Sequence, residues 1–343
     1  MSYNSTFVNA ISLSAAARVA YNMITSKMPL APWFPAHTNP GLDFAFDRRV
    51  ASGADVAEFR DFDAENTLGQ TFGNARLSGT LPPIGRNYRL LEYEQAQFYN
   101  EGKKNAATAQ YLMERVGDGA RAIARRLEQA RIDAVLNGSV TLNENGVSAI
   151  VDFARDASLT ETLAGADLWS AATSDPVADI EGWMEAARDV SGVLPTTALV
   201  SHNVYEAMRT NAALLDVAYA GMASVGTRIR RDDLVTVVGT ETGLLSVVDM
   251  DRAYAIPDLD MGNPWPDNKF VLVSSPGAAF GRTEFGIVPM ATDPKFGISE
   301  ADRSGLFSYA FDQDNVFGLW ASTNALAIPT MPGVNMTFVA NVL

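Results

Sequence analysis

Apolar residues recur along this chain with two spacings, three-to-four and two, and each spacing marks its own segments. The clearest helical stretch runs from Ala106 to Leu136 without a proline. Val116, Ala120, Ile123, Leu127, Ala130 and Ala134 step through it by four, three, four, three and four, which aligns them on one stripe. Arg115, Arg121, Arg125, Glu128 and Arg131 lie mostly off that stripe, and Asn137-Gly138 supplies a stop. At ~1.5 Å per residue this helix would be roughly 45 Å long. An average helix has only about 11–12 residues. Gly117 and Gly119 weaken its middle. A shorter pattern, Val8, Ile11, Ala15, Val19 and Met23, predicts a second helix over Phe7–Ser26.

The three prolines of Met28-Pro29-Leu30-Ala31-Pro32-Trp33-Phe34-Pro35 forbid a regular element and favour an extended path. Trp33 and Phe34 need burial, either as part of an arm docked on another surface or as a loop on their own domain. Period-two alternation appears at Leu42, Phe44 and Phe46 and again from Leu77 to Leu81. Between them, Asp55 to Gly73 is polar and poor in aliphatic residues, which suits a long hairpin projecting from the body. Leu81-Pro82-Pro83-Ile84-Gly85 would close its return.

Val140 to Asp152 reads as two short strands around Asn143-Glu144-Asn145-Gly146. A helix follows from a cap at Ser174 or Asp175, with Pro176 in its first turn and Ile180, Trp183, Met184 and Ala187 as its apolar face. Thr197–Ser201 is a short buried strand and Asn203–Asn211 another helix. Val235–Val238, Leu244–Val248 and Phe270–Val273 read as strands. Helices and strands mix without regular alternation, so the fold class is α+β.

Composition narrows the picture. The chain has 343 residues, 47% apolar and 19% charged, enough for two lobes with a sizeable core. It has no cysteine, which excludes disulfides, thiolate metal sites and a cysteine nucleophile. Cytoplasmic folding is therefore the simplest expectation. No apolar run approaches the ~18–20 residues that span a bilayer. The mild patch Ala10–Ala17 lacks the preceding basic residues of an export signal. Net charge is -14, from 40 acids against 26 bases. Phosphate contacts need Lys and Arg, so this balance argues against tight DNA binding. It suits solubility, or a surface that repels a polyanion.

Candidate chemistry is sparse. His37 sits among the prolines and His202 follows Val200-Ser201, and neither has a partner at metal-ligand spacing. Ser201 beside His202 is adjacency in sequence, which makes no triad. Gly277-Ala278-Ala279-Phe280-Gly281 lacks the lysine and spacing of a phosphate loop and reads as a turn between strands. Asp249, Asp251, Asp258, Asp260 and Asp267 form an acidic stretch. A calcium loop starting at Asp258 would need Glu at its twelfth position, where Lys269 stands. No residue is assigned a catalytic, cofactor-binding or metal-ligating role.

Several stretches, in order, resemble the major capsid proteins of tailed phages with a Hong Kong 97-like fold, within them the phage-lambda capsid protein E group. Leu81–Gly85 through Tyr88-Arg89-Leu90 is similar to that family's return from an extended loop. Arg125–Ala130, ending at Val135-Leu136-Asn137-Gly138, resembles the end of its spine helix. Asp179-Ile180-Glu181 through Leu199-Val200-Ser201 to Met208-Arg209 resembles the opening of its axial domain, and Pro266–Leu272 a later strand there. Thr323–Ile328 and Asn335–Val339 resemble its final peripheral strands.

The resemblance covers essentially the whole chain. It implies an N-terminal arm over 1–41, an extended loop over 42–88 and a peripheral domain over 89–175 with a spine helix near 106–136. An axial domain over 176–286 and a return to the peripheral domain over 287–343 complete it. It further implies a non-enzymatic subunit of hexamers and pentamers in an icosahedral shell around double-stranded DNA, assembled in the host bacterial cytoplasm. The implied partners are other copies, a separate scaffold protein, a portal and a decoration protein, with weak DNA contact, no membrane and no cofactor. An encapsulin-like cargo compartment shares the fold, and a cytoplasmic α+β enzyme using a carboxylate pair is the rival from another class. Some relatives cross-link through a loop lysine. The five lysines here are Lys27, Lys103, Lys104, Lys269 and Lys295, and none falls between Leu42 and Tyr88, so no such cross-link is expected.

Overall fold

The computed structural model describes residues 2–49, 74–91, 93–94, 96–97, 104–144, 146–220, 226–313 and 316–343. Residues 50–73 of the expected loop, and Asn145 of the expected turn, lie outside them.

The long helical pattern is realised as α2 (Lys104–Asn137), 34 residues long. All six residues of its stripe are buried. They rest against α1 (Ala10–Thr25), β5 (Pro83–Leu90) and β14 (Val316–Thr330). Gly119 lets α2 cross β14 closely: a Cβ there would sit 2.8 Å from Thr323 Oγ1. The helix ends where Gly138 takes φ of 67°, and Arg155 donates to the carbonyls of Leu136 (2.9 Å) and Val135. Those carbonyls have no partner within the helix, so the guanidinium caps its negative end. Burial pulls Arg155 down to about 10.

α1 begins at Asn9, whose side chain accepts from Ser12 N at 2.8 Å. Its orientation overturns the stripe read from spacing. Ala10, Leu13, Ser14, Ala17, Tyr21 and Ile24 face inward, whereas Ile11, Val19 and Met23 are 51, 60 and 64% exposed. The buried face is mostly narrow because α1 lies close against both α2 and β13 (Phe307–Gln313). Ser14 Oγ donates to Ser308 O (3.2 Å) and accepts from Ser308 N (2.9 Å), fixing the rotation of α1 on that strand.

The segment expected as an arm is built into its own lobe. Trp33 Nε1 donates to Ser274 O at 2.8 Å, and Phe34 meets Phe280 edge-on with centroids 5.8 Å apart. β2 (Ala36–Thr38) then pairs in parallel with β12 (Arg282–Phe285). The first sheet, with β1 (Ser2–Tyr3) at one edge, has the order β1-β13-β14-β12-β2, and β5 also pairs with β14. Alternation at Phe44 and Phe46 becomes β3 (Asp43–Arg49), antiparallel to β4 (Asn74–Thr80). Phe46 packs on Phe153, rooting this hairpin stem in the first lobe. β6 (Ser139–Glu144) and β7 (Val147–Asp152) form the second expected hairpin.

The second lobe is built on a sheet of order β10-β9-β11-β15-β8. Its strands are β8 (Thr160–Thr162), β9 (Thr197–Val200), β10 (Ser246–Asp249), β11 (Lys269–Val273) and β15 (Thr337–Asn341). Ala198, Val200, Phe270, Leu272, Phe338 and Ala340 join a core with α3 (Pro176–Ser191), α4 (His202–Thr210), α5 (Ala212–Ala218) and α6 (Arg231–Thr242). Leu199, Val271, Val273 and Val339 join the core of the first lobe. Both faces of the central strands are thus covered, which is why they read as continuous apolar runs. α3 starts as expected, with Asp175 accepting from Val177 and Ala178 N ahead of Pro176.

One expected strand is corrected. Val235–Val238 lies in α6, because Leu234 and Val238, four apart, bury on one face. β15, near the end of the chain, pairs with β11 and belongs to the second sheet. β8 and Trp169 lie in the sheet and core of the second lobe, while β12 lies in the first sheet. Chain order is not lobe order here, since backbone pairing draws two distant segments onto the edge of one sheet.

Candidate functional site

The residues weighed for chemistry take structural roles. Ser201 Oγ donates to Asp267 O (2.5 Å) and accepts from Val204 N (3.3 Å), capping α4. His202 turns from it to Asp249, with Nδ1 2.8 Å from Oδ2, while its backbone N–H donates to Asp251. His37 Nδ1 lies 2.7 Å from Glu284 Oε2 on the first sheet. Gly277–Gly281 is the turn between β11 and β12. Asp258 pairs with Lys27 across the surface. Among the described residues, no three acidic or histidine side chains converge as a metal site. No helix of the described residues is long and apolar enough to cross a membrane.

One buried polar cluster ties several elements around the first core together. Glu128 and Arg131 of α2 are both buried and joined at 2.9 Å. Glu128 Oε1 also accepts from Leu30 N (3.0 Å) and from the Tyr254 hydroxyl (2.9 Å) of α7 (Met250–Tyr254). Arg131 Nη2 donates to Thr283 Oγ1 on β12, which donates in turn to Phe34 O. Burial, and then the charge of Glu128, push the Tyr254 hydroxyl well up. Every arm of this cluster ends on a neighbouring element, so it ties α2, the proline segment, α7 and β12 at one point. A second cluster binds α4 to α6, where Glu206 accepts from Arg209 (2.8 Å) and Arg231 (2.6 Å). Partial burial pushes the Glu206 carboxyl up, but Arg209, Arg231 and Arg228 outweigh it and hold the group below its ordinary value.

What remains outward is apolar surface in separate places. The stripe Ile11, Val19 and Met23 runs along α1 with no charged residue of its own between them except Arg18, which pairs with Asp302. At the end of the second lobe, Val193, Leu194 and Leu245 are exposed, and Leu245 N bonds to Thr196 O. Ile150 stands out on β7. The β3–β4 stem leads into residues 50–73. Single exposed apolar residues are ordinary, but grouped ones mark contact surfaces.

A groove of about 480 Å³ lies between α2, β5, the end of β14 and the β6–β7 hairpin. Its walls are apolar, including Pro82, Ile123, Leu127, Leu142 and Pro329. Arg86, Arg125 and Arg126 bring positive charge to it, against Glu144 alone. Arg125 Nε donates to Leu259 O (2.6 Å) and Arg126 Nε to Glu144 (2.9 Å). Arg86 is exposed, and its guanidinium has no partner among the described residues. Spacing along the chain does not reveal this groove, because its walls come from four separated segments. The adjacent pairs Pro82-Pro83 and Arg125-Arg126 were its only signals in sequence.

Comparison with known proteins places the fold. A family model described as phage major capsid protein E matches residues 53–337. No curated protein matches the sequence. A crystal structure described as a prophage capsid protein of Escherichia coli CFT073 superposes with a TM-score of 0.62 at 14% identity, covering 98% of this chain and 99% of that one. A phage-related protein from Bordetella bronchiseptica RB50 superposes with a TM-score of 0.54 at 14% identity, covering 98% of each chain. The α+β architecture is that of Hong Kong 97-like phage capsid proteins.

Proposed function

The chain belongs to the phage major capsid protein E family, and from that premise we propose that it assembles as hexamers and pentamers of an icosahedral shell enclosing double-stranded DNA. It is a structural capsid protein. The observation that carries the finer reading is the family match over 53–337, which spans both lobes.

In this reading, residues 1–41 and 89–156 with 274–336 make the peripheral body, and 157–273 with 337–343 the axial lobe. The apolar tip at Val193, Leu194 and Leu245 packs around the capsomer centre, and α1 presents Ile11, Val19 and Met23 to a neighbour. The loop over 42–88 reaches over an adjacent subunit. Obligate interfaces of this kind bury upwards of ~2,000 Å². Other copies, a separate scaffold protein, a portal and a decoration protein are its partners, and assembly takes place in the host cytoplasm. DNA is touched weakly, in keeping with the net charge of -14. No lysine lies between Leu42 and Tyr88, so non-covalent contacts hold the mature shell.

Negative-stain microscopy and light scattering of the native assembly test this. Closed shells tens of nanometres across are expected. A monomer or dimer that persists at high concentration with the scaffold protein supplied would overturn it.

A further inference from the structure

α1 turns one face away from the rest of the described chain. Ile11, Ser12, Ala15, Val19, Asn22 and Met23 are exposed along it. With 3.6 residues per turn, they share the side opposite the buried Ala17. The face itself carries no ionised group. The two basic residues near it are already engaged, Arg18 with Asp302 and Lys27 with Asp258. In a chain of net charge -14, it is a surface on which two copies can meet without like-charge repulsion.

The face is also matched to itself end for end. Ile11 and Met23 stand six positions either side of Ala17, Ser12 and Asn22 five, and Ala15 and Val19 two. An isologous contact requires this, because one patch must complement its own copy. Ile11, Ala15, Val19 and Met23 form a single ridge of four-residue steps, and two such ridges interdigitate at a crossing of about −50°. Antiparallel packing of that kind sets Val19 beside Ala15 of a second copy and Met23 beside its Ile11. Parallel packing would set Ala15 on Ala15 and leave a gap at the middle. We propose that α1 packs antiparallel on α1 of a second copy, across a two-fold axis level with Ala17. This inference rests on the shell reading and deepens it, naming the elements and the symmetry through which two subunits meet.

The size of the face decides where this contact forms. α1 has 16 residues and is therefore ~24 Å long. A strip of that length and one helix width covers roughly 240 Å² per copy, well below the ~800 Å² per partner of a stable standard interface. The helix pair alone does not hold a free dimer. It closes where other contacts already bring subunits together, and an icosahedral shell supplies the two-fold axes.

The absence of native cysteine makes the test clean. Val19→Cys and Ser26→Cys are made singly, assembled into shells, treated with a short bis-maleimide and run on denaturing gels. In the antiparallel pair the two copies of position 19 lie ~6 Å apart along the helix axis, and those of position 26 ~27 Å apart. Val19→Cys is expected to give dimers, with no higher ladder, tenfold or more above Ser26→Cys and above its own free subunit. Equal dimers from both positions would mean a different packing of α1 and overturn the proposal. Intact Val19→Cys shells with no dimer would overturn it while leaving the shell reading standing, whereas failure of the unmodified chain to form shells strikes that reading instead.

If the cysteine variants do not assemble, paired charges decide. Ile11→Glu and Met23→Lys are each expected to cut shell yield about tenfold, and the two together to restore it to within about twofold. Within one helix these positions are ~18 Å apart, too far to pair, so restoration reports a second copy. A double variant no better than either single would overturn the proposal.

Discussion

α1 and α2 carry the same kind of apolar stripe in sequence and use it in opposite ways. In α2, Val116 through Ala134 turn inward and are covered by α1, β5 and β14. In α1, Ile11, Val19 and Met23 turn outward, and a narrower face of Ala10, Ser14 and Ala17 with Leu13, Tyr21 and Ile24 turns in. Periodicity identifies a helix and its faces. Which face is buried depends on how near the neighbours come and what polar groups they offer. β13 comes close enough for Ser14 to exchange two hydrogen bonds with Ser308, which a larger apolar residue at 14 would prevent. The apolar residues Ile11, Val19 and Met23 of α1 are left facing outward.

This contrast can be broken by substitution, read as urea unfolding of the free subunit and as shell yield. The largest loss is expected for Glu128→Ala, which strands Arg131 and the Tyr254 hydroxyl inside α2's packed side and should cost about 3–5 kcal/mol. An effect under about 1 kcal/mol would mean that the cluster is hydrated and does not hold these elements together. Leu127→Ala, on the buried stripe of α2, should cost about 2–5 kcal/mol. Ala17→Leu, on the narrow face of α1, should cost about 1–3 kcal/mol through overpacking. If it is neutral, the close approach of α1 is wrong. The smallest effect on the subunit belongs to Val19→Ser with Met23→Gln, within about 0.5 kcal/mol. Shell yield should nevertheless fall with that pair, and a yield equal to the unmodified chain would show that no neighbour covers the stripe.

Legibility followed how local each signal is. The cap at Asp175, the stop at Asn137-Gly138, the β6–β7 hairpin and the alternation of β3 and β4 each depend on residues a few positions apart, and all are realised. Val235–Val238 misled because a run of β-branched residues suits a buried strand as well as one face of α6. Trp33 and Phe34 clearly required burial, but their partners, Ser274 and Phe280, lie some 240 residues on, so sequence left own lobe and neighbour equally open.

By itself, then, the sequence determined most of the helices and strands with their caps, the α+β class, the ordered resemblance to a capsid family, and an acid-rich segment without lysine. Only the tertiary structure decided that β15 joins the second sheet, that α1 turns Ile11, Val19 and Met23 to the outside, and that three arginines line an apolar groove. The physical reason is the range of the forces involved. Capping, turn geometry and periodicity act within a few residues of chain. Sheet membership, the buried face of a helix and the charge of a groove are sums over segments that become neighbours only when the chain has folded.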